Sequence, residues 1–329
     1  MDKPICQKNI LLQIIRIFCA GGVMLVHVGC RYEIFGFLGK VFRFGQYGLY
    51  AFFILSGYFA ATWDGNDRKR YIKKKIVRLV PVYYFLLAIY ILLHTFILDD
   101  VPYDAYGLGW FRFITGLNSL LPSEIIFWKG IHAIWYVSVV WIFYLMHALL
   151  WDKVKKFCIR FWIILFFVLS IISVTIGRID PLYSVNILAF MQYFVLGIIA
   201  QKYVKKDLYL IVLILTPLIV YLLKDLWLSK NIIFSVLFMV IIISIKNKCV
   251  TCPNKLVQVI CDTLDEHTYT LFLVHPFFVD FFGAYTMKTA IPKCQQLVIF
   301  FILMIASVVI VRNAEAKVQN AMVKRMGLD

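Results

Sequence analysis

At 329 residues the chain is long enough for two domains, yet 62% of it is hydrophobic and 16% charged, a balance no ordinary soluble domain carries. The apolar residues fall in stretches of about 16–25 between short polar loops, the length a bilayer core demands, so a soluble enzyme and a disordered chain are both excluded. The net charge of +16 would point to nucleic acid in a soluble protein; in a membrane protein it is explained by orientation, and no nucleic-acid partner is expected.

The apolar stretches predict an all-α integral membrane protein of about ten transmembrane helices, at 10–30, 44–63, 79–98, 132–151, 159–176, 187–203, 208–224, 231–245, 268–287 and 294–311. With the N-terminus in the cytoplasm, most Lys and Arg fall in the inside segments and at the span ends that border them, so both termini are expected to be cytoplasmic. The longest loop between spans, about Asp99 to Ile131, is itself rich in aromatic residues. One transmembrane domain over 1–329 is expected, with no soluble extra domain.

The first span contains Arg16 and His27. No cleavable signal peptide is clear there, so it reads as a retained helix. Ionisable groups inside a span are costly and need a reason. Eleven positions separate the two residues, which on a helix brings them within about 20° of one face and ~16 Å apart along the axis. Alone, Arg16 would be a residue snorkelling to the headgroups and His27 an inter-helix hydrogen-bonding group. Sharing one face, they become candidates for chemistry.

The second span reads GLYAFFILSGYFAATW from Gly48 to Trp63, with small residues at Gly48, Ala51, Ser56 and Gly57 that permit close helix approach. A basic loop follows from Asp67 to Arg78, in which Lys75, Arg78 and Pro81 are spaced by three. Such a loop anchors most membrane proteins to anionic lipid. It could equally hold the phosphates of a bulky anionic donor.

The fourth span opens HAIWYVSVVWIFYL from His132, where Trp135, Tyr136 and Trp141 fit an interfacial aromatic belt. Cys249, Cys252 and Cys261, with His267, fall in one expected cytoplasmic loop. Their spacing matches no standard zinc finger, so free thiols and no metal are expected. The ninth span opens HTYTLFLVHPFF, placing His275 in mid-span beside Pro276, where a kink and a buried imidazole meet. His94 and His147 lie towards span ends and carry no assigned chemistry.

Taken together, Arg16 with ten residues before His27, FFILSGY at Phe52–Tyr58, K-x-x-R-x-x-P at Lys75, Arg78 and Pro81, WYVS at Trp135 with Tyr144, and TYTLFLVHP with Tyr269 and His275 resemble the acyltransferase family 3 membrane proteins, which include many bacterial glycan O-acetyltransferases. The chain departs from the family pattern at Cys19 (often Ala), Lys75 (Arg), Thr268 (Ser) and Val137 (Leu); none of these removes a candidate catalytic group.

The resemblance implies a multi-pass enzyme of the bacterial plasma membrane that moves an acetyl group from acetyl-CoA to a hydroxyl of a glycan or lipid-linked glycan, with membrane lipids as its surroundings. His27 would be the general base and Arg16 would grip a donor phosphate or polarise the thioester carbonyl. Arg78 and Lys75 would bind the donor at the cytoplasmic mouth, with Ser56 and Gly57 allowing close approach. Trp135, Tyr136, Tyr269 and His275 would line the substrate cavity. A transporter of a small acylated metabolite would also use buried Arg and His residues, and a structural subunit of an envelope assembly would use neither.

Overall fold

The computed structural model describes residues 9–32, 40–93, 95–96, 108–120, 134–179, 186–202, 226–246, 254–279 and 291–328. Among them there is no strand. The helices are α1 (Ile10–Tyr32), α2 (Tyr47–Ala60, entered through a 3-10 turn at Arg43–Gln46), α3 (Arg68–Leu93), α4 (Leu108–Ile114), α5 (Ile134–Val154), α6 (Ile159–Ile179), α7 (Ile187–Lys202), α8 (Leu226–Ile245), α9 (Lys255–Phe277) and α10 (Lys293–Met326). Among the described residues five segments are long and apolar enough to cross a membrane: Ile10–Gly29, Arg68–Leu92, Ile134–Val154, Ile159–Ile176 and Cys294–Met326. Shorter apolar helices occupy Ile187–Lys202 and Lys230–Ile245. The expected span 208–224 lies outside the described residues. The helical form follows from the solvent, because a segment in lipid must satisfy its own backbone N–H and C=O groups.

A string of side-chain to backbone bonds ties one end of the bundle together. Asn9 Nδ2 donates to the Ile245 carbonyl at 2.9 Å, and Lys246 Nζ donates to those of Ala200 and Gln201 at 2.7 and 2.8 Å. Lys202 Nζ donates to the Lys155 carbonyl, Trp151 Nε1 to that of Trp63 at 2.8 Å and Lys73 Nζ to that of Met326 at 2.8 Å. Asn9 and Met326 therefore lie at the same end, which is rich in lysine and arginine and is called the basic end. At the far end, short α4 packs under α3 through Tyr83, whose hydroxyl donates to the Phe113 carbonyl at 2.5 Å, and Ile187 N donates to the Ser119 carbonyl at 3.2 Å.

Three helices begin or end beyond the boundaries that hydropathy implies. The expected basic loop is the first part of α3: the Asp67 carboxylate accepts from the Arg70 amide at 2.9 Å, and the Lys and Arg residues that follow are good helix formers. The helix continues through Pro81. α9 starts at Lys255, capped by Asn254, whose side chain accepts from Leu256 N at 2.8 Å, so Cys261 and His267 are helical rather than loop residues. Cys249 and Cys252 lie outside the described residues. α10 continues past 311 to Met326. Hydropathy marks where a helix meets lipid and says nothing of the polar turns that extend it into water.

α2 sits at the centre of the bundle and packs on α7 through paired glycines. A Cβ at Gly57 would lie 1.9 Å from the Phe194 carbonyl oxygen, and one at Gly197 would lie 1.9 Å from that of Ile54. Without either side chain the two backbones touch, and dispersion rather than the hydrophobic effect holds them in lipid.

Candidate active site

α1 and α9 run side by side in the same direction and are joined at matching heights. Gln13 Nε2 donates to Asp262 Oδ1 at 2.6 Å. One turn further, Arg16 donates to Asp265 Oδ2 at 2.6 Å. Nearer the far end, the rings of His27 and His275 lie 5.2 Å apart. The intervals along the two helices agree within one residue, so Arg16 and His27 do share a face, and that face is turned to α9. The ion pair is only partly buried, with side-chain exposures of 21% and 16%, so it borders a wet space rather than a sealed core.

That space comprises two adjoining cavities. The one opening at the basic end, of about 200 Å³, is lined by Arg16, Arg78 and Arg312 against Asp265, Glu266 and Glu315. Arg312 pairs with Glu266 at 2.5 Å and Glu315 at 3.7 Å. Thr270 Oγ1 donates to Glu315 at 3.0 Å and Gln319 Nε2 donates to it at 2.7 Å. Arg78 is exposed and makes no ion pair among the described residues, although its charge acts on Arg16, Lys75, Tyr136, Tyr144, Tyr269 and Glu315. Three guanidiniums meet three carboxylates, and the unmatched one stands at the mouth, suited to an incoming anion.

The inner cavity, of about 60 Å³, shares Arg16, Arg78, Thr268 and Tyr269 with the outer one and adds Ser56, Tyr136, Tyr144 and the rings of Phe52, Phe59 and Phe272. Ser56 lies with the phenols of Tyr136 and Tyr144 in this lining, and among the described residues no hydrogen bond joins it to a base. The guanidinium of Arg16 lies 5.4 Å from the Phe59 ring centre.

Above this cavity three rings close on one another. Phe52 to Phe272, Phe52 to Tyr136 and Tyr136 to Phe272 measure 5.7, 6.3 and 4.7 Å between centroids. Phe272 in turn lies 5.8 Å from His275. The three rings therefore form a partition, with arginines on its basic-end side and the two histidines beyond it.

The sequence-derived candidates thus divide. Arg16, Ser56, Arg78, Tyr136 and Tyr269 line one connected space, and His27 and His275 lie across the partition from it. Lys75 is turned aside, with Nζ 4.0 Å from the Tyr144 ring centre and 5.2 Å from that of Tyr71. Gly57 approaches a helix backbone. Trp135 stacks on Phe190 at 4.9 Å and does not line the cavity. Sequence reasoning missed Asp265, Arg312, Glu315 and Gln319. Asp265 had a signal: it precedes His275 by almost the interval that separates Arg16 from His27. Among the described residues no group of three His, Cys, Asp or Glu side chains could hold a metal ion.

A helical bundle with membrane-spanning segments, an arginine-lined polar cavity and a histidine pair beyond its ring partition is a multi-pass membrane enzyme or carrier. Residues 9–311 match the family model described as an acyltransferase domain, acyltransferase family 3. The chain belongs to this family and is a membrane acyltransferase, which favours group transfer over the transport and assembly readings. The match ends at 311, so Arg312, Glu315 and Gln319 stand outside it. Comparisons with curated proteins and with solved structures give no match.

Proposed function

We propose that the protein transfers an acetyl group from acetyl-CoA to a hydroxyl of a cell-envelope or exported glycan at the bacterial plasma membrane, with His27 as general base. The observation that carries this reading is the order of groups along one path: an unmatched arginine at the mouth, an ion-paired arginine behind it, an aromatic partition, then two histidines. The basic end faces the cytoplasm, where the donor is found. Arg78 meets the donor phosphates, assisted at longer range by Lys75, and the thin pantetheine arm enters the inner cavity. Arg16, fixed by Asp265, grips a donor phosphate on the basic-end side of the rings, and the thioester reaches between the rings towards His27. The small inner cavity and the three rings favour a short acyl group.

The acceptor hydroxyl approaches from the far side. His27 Nδ1 or Nε2 takes its proton as the oxygen attacks the thioester carbon, His275 holding the neighbouring ring in place. The new C–O ester bond forms, the C–S bond breaks, and the proton passes to the departing thiolate to give CoA thiol. A covalent acyl-His27 intermediate would split this into two steps and predicts acetyl retained on protein without acceptor.

The test is incorporation of labelled acetyl from acetyl-CoA into a glycan fraction by membranes holding wild type or His27→Ala at equal abundance. Incorporation in wild type and its loss in the variant is the expected result. Equal incorporation would remove His27 as base, and none in either would remove acetyl-CoA or glycan from the reaction.

A further inference from the structure

Between α5, α6 and α7, towards the basic end, lies another cavity of about 280 Å³ whose lining shares no residue with the arginine cavities. Its wall is almost wholly apolar, with Leu150, Phe161, Leu165 and Met191 among the contributors. His147 and Trp162 are the exceptions. They are 5% and 3% exposed, and neither ring nitrogen of His147 nor Trp162 Nε1 has a hydrogen-bond partner among the described residues. An indole N–H can only donate, and a buried donor without an acceptor is costly. These nitrogens lie behind the wall rather than on it, so the space itself is apolar and matches a ligand that is mostly hydrocarbon.

The surroundings identify the head of that ligand. The turn between α5 and α6, directly below Trp151, Val154 and Phe161 of the wall, carries Lys153, Lys155, Lys156 and Arg160. Lys202 joins them from α7, its Nζ 4.9 Å from the Trp151 ring centre. The one carboxylate of the turn, Asp152, is engaged by Lys155 at 3.0 Å and by Arg68 at 3.2 Å. Lys153, Lys156 and Arg160 are exposed and make no ion pair among the described residues. Trp162 follows Arg160 by two residues on α6, ~3 Å of helix rise and on the opposite, buried face, so the apolar wall begins just beneath the level of the cations.

We propose that this cavity holds one acyl chain of an anionic phospholipid from the leaflet at the basic end. The phosphate lies against Lys153, Lys156 and Arg160. The chain passes between α5, α6 and α7 along the apolar wall. The bound lipid fills the gap behind α7, the helix that packs on α2. Hydrocarbon fit alone would not distinguish lipids; the uncompensated cations select the anionic headgroup.

The experiment uses the full chain reconstituted in nanodiscs of phosphatidylcholine alone or with added phosphatidylglycerol, with thermal unfolding as the readout. Phosphatidylglycerol should raise Tm of the wild type by several °C through binding to the folded state. The rise should vanish in Leu165→Trp, which fills the cavity, and in the double variant Lys156→Glu, Arg160→Glu, whose exposed positions leave folding intact should the first variant fail. Mass spectrometry of lipid retained by the detergent-purified wild type should find phosphatidylglycerol enriched over its share of the membrane. Equal Tm in both lipids, an undiminished rise in the charge-reversed variant, or retention of a free fatty acid or a zwitterionic lipid instead would each overturn the proposal.

Discussion

Arg16 gains its meaning from Asp265. A guanidinium inside a helix bundle is tolerable when a carboxylate holds it in one geometry, and a 2.6 Å contact does so. Asp265→Ala should therefore reduce acyl transfer by about 10- to 100-fold, since a partly buried charge left unpaired costs about 1–3 kcal/mol. Asp265→Glu should recover part of the rate while Asp265→Asn recovers little, and initial rates at saturating donor would show it; a rate unchanged in Asp265→Ala would make the pair ornamental to the reaction. The partition offers a second test. Phe272 touches both its fellow rings and His275, so Phe272→Ala should raise kcat/KM for butyryl-CoA relative to acetyl-CoA. A ratio that stays put would mean the rings do not limit acyl length.

The elements are held by contacts that tolerate little enlargement. With 1.9 Å separating a would-be Cβ from a facing carbonyl oxygen at both Gly57 and Gly197, even Gly57→Ala must push α2 and α7 apart. A loss of about 1–3 kcal/mol is expected, seen as a lower Tm in detergent, and Gly197→Ala should match it. Gly57 was legible in the sequence as a helix-approach residue; its counterpart Gly197 and the helix that carries it were not, because hydropathy is a one-dimensional signal. The same limit separates the other readings. Arg16 and His27 could be placed on one face by helical period alone, and the structure turns that face to α9. The partner Asp265, 249 positions away, was missed despite its matching interval to His275, because the charge of its stretch made it look like a loop. The spacing of Lys75 to Arg78 was legible, but not the aromatic rings of Tyr71 and Tyr144 that its Nζ lies over.

At the scale of the whole molecule the lysine-rich end gathers Asn9 and Met326 together, and native cysteines report on its sidedness. Cys158, between α5 and α6, and Cys294, at the start of α10, are exposed, whereas Cys19 and Cys261 are buried. Variants retaining only one of the exposed pair should react with an impermeant maleimide from opposite faces of the membrane, Cys158 from the cytoplasmic face. Labelling of both from one face would break the proposed orientation. The backbone amides of Phe161 and Arg160 hold the Cys158 thiol below its ordinary range. Since the thiolate is the reactive form, its labelling should persist as pH falls to values where an ordinary cysteine slows, and a rate profile across neutral pH would show the shift.

The pairing of α1 with α9 also bears on how the enzyme comes into being. α1 leaves the ribosome first, carrying Arg16 and His27, and must wait in the bilayer until residues 262–275 have been made before either gains its neighbour. During that interval the half-site has neither the ion pair nor the second imidazole. Contacts so distant in sequence are slow to form, so the site is completed late. Fragments divided within 247–253 and made together should restore acyl transfer, while the first fragment alone should insert and remain inert. Activity from the first fragment by itself would show that α9 is dispensable to the chemistry.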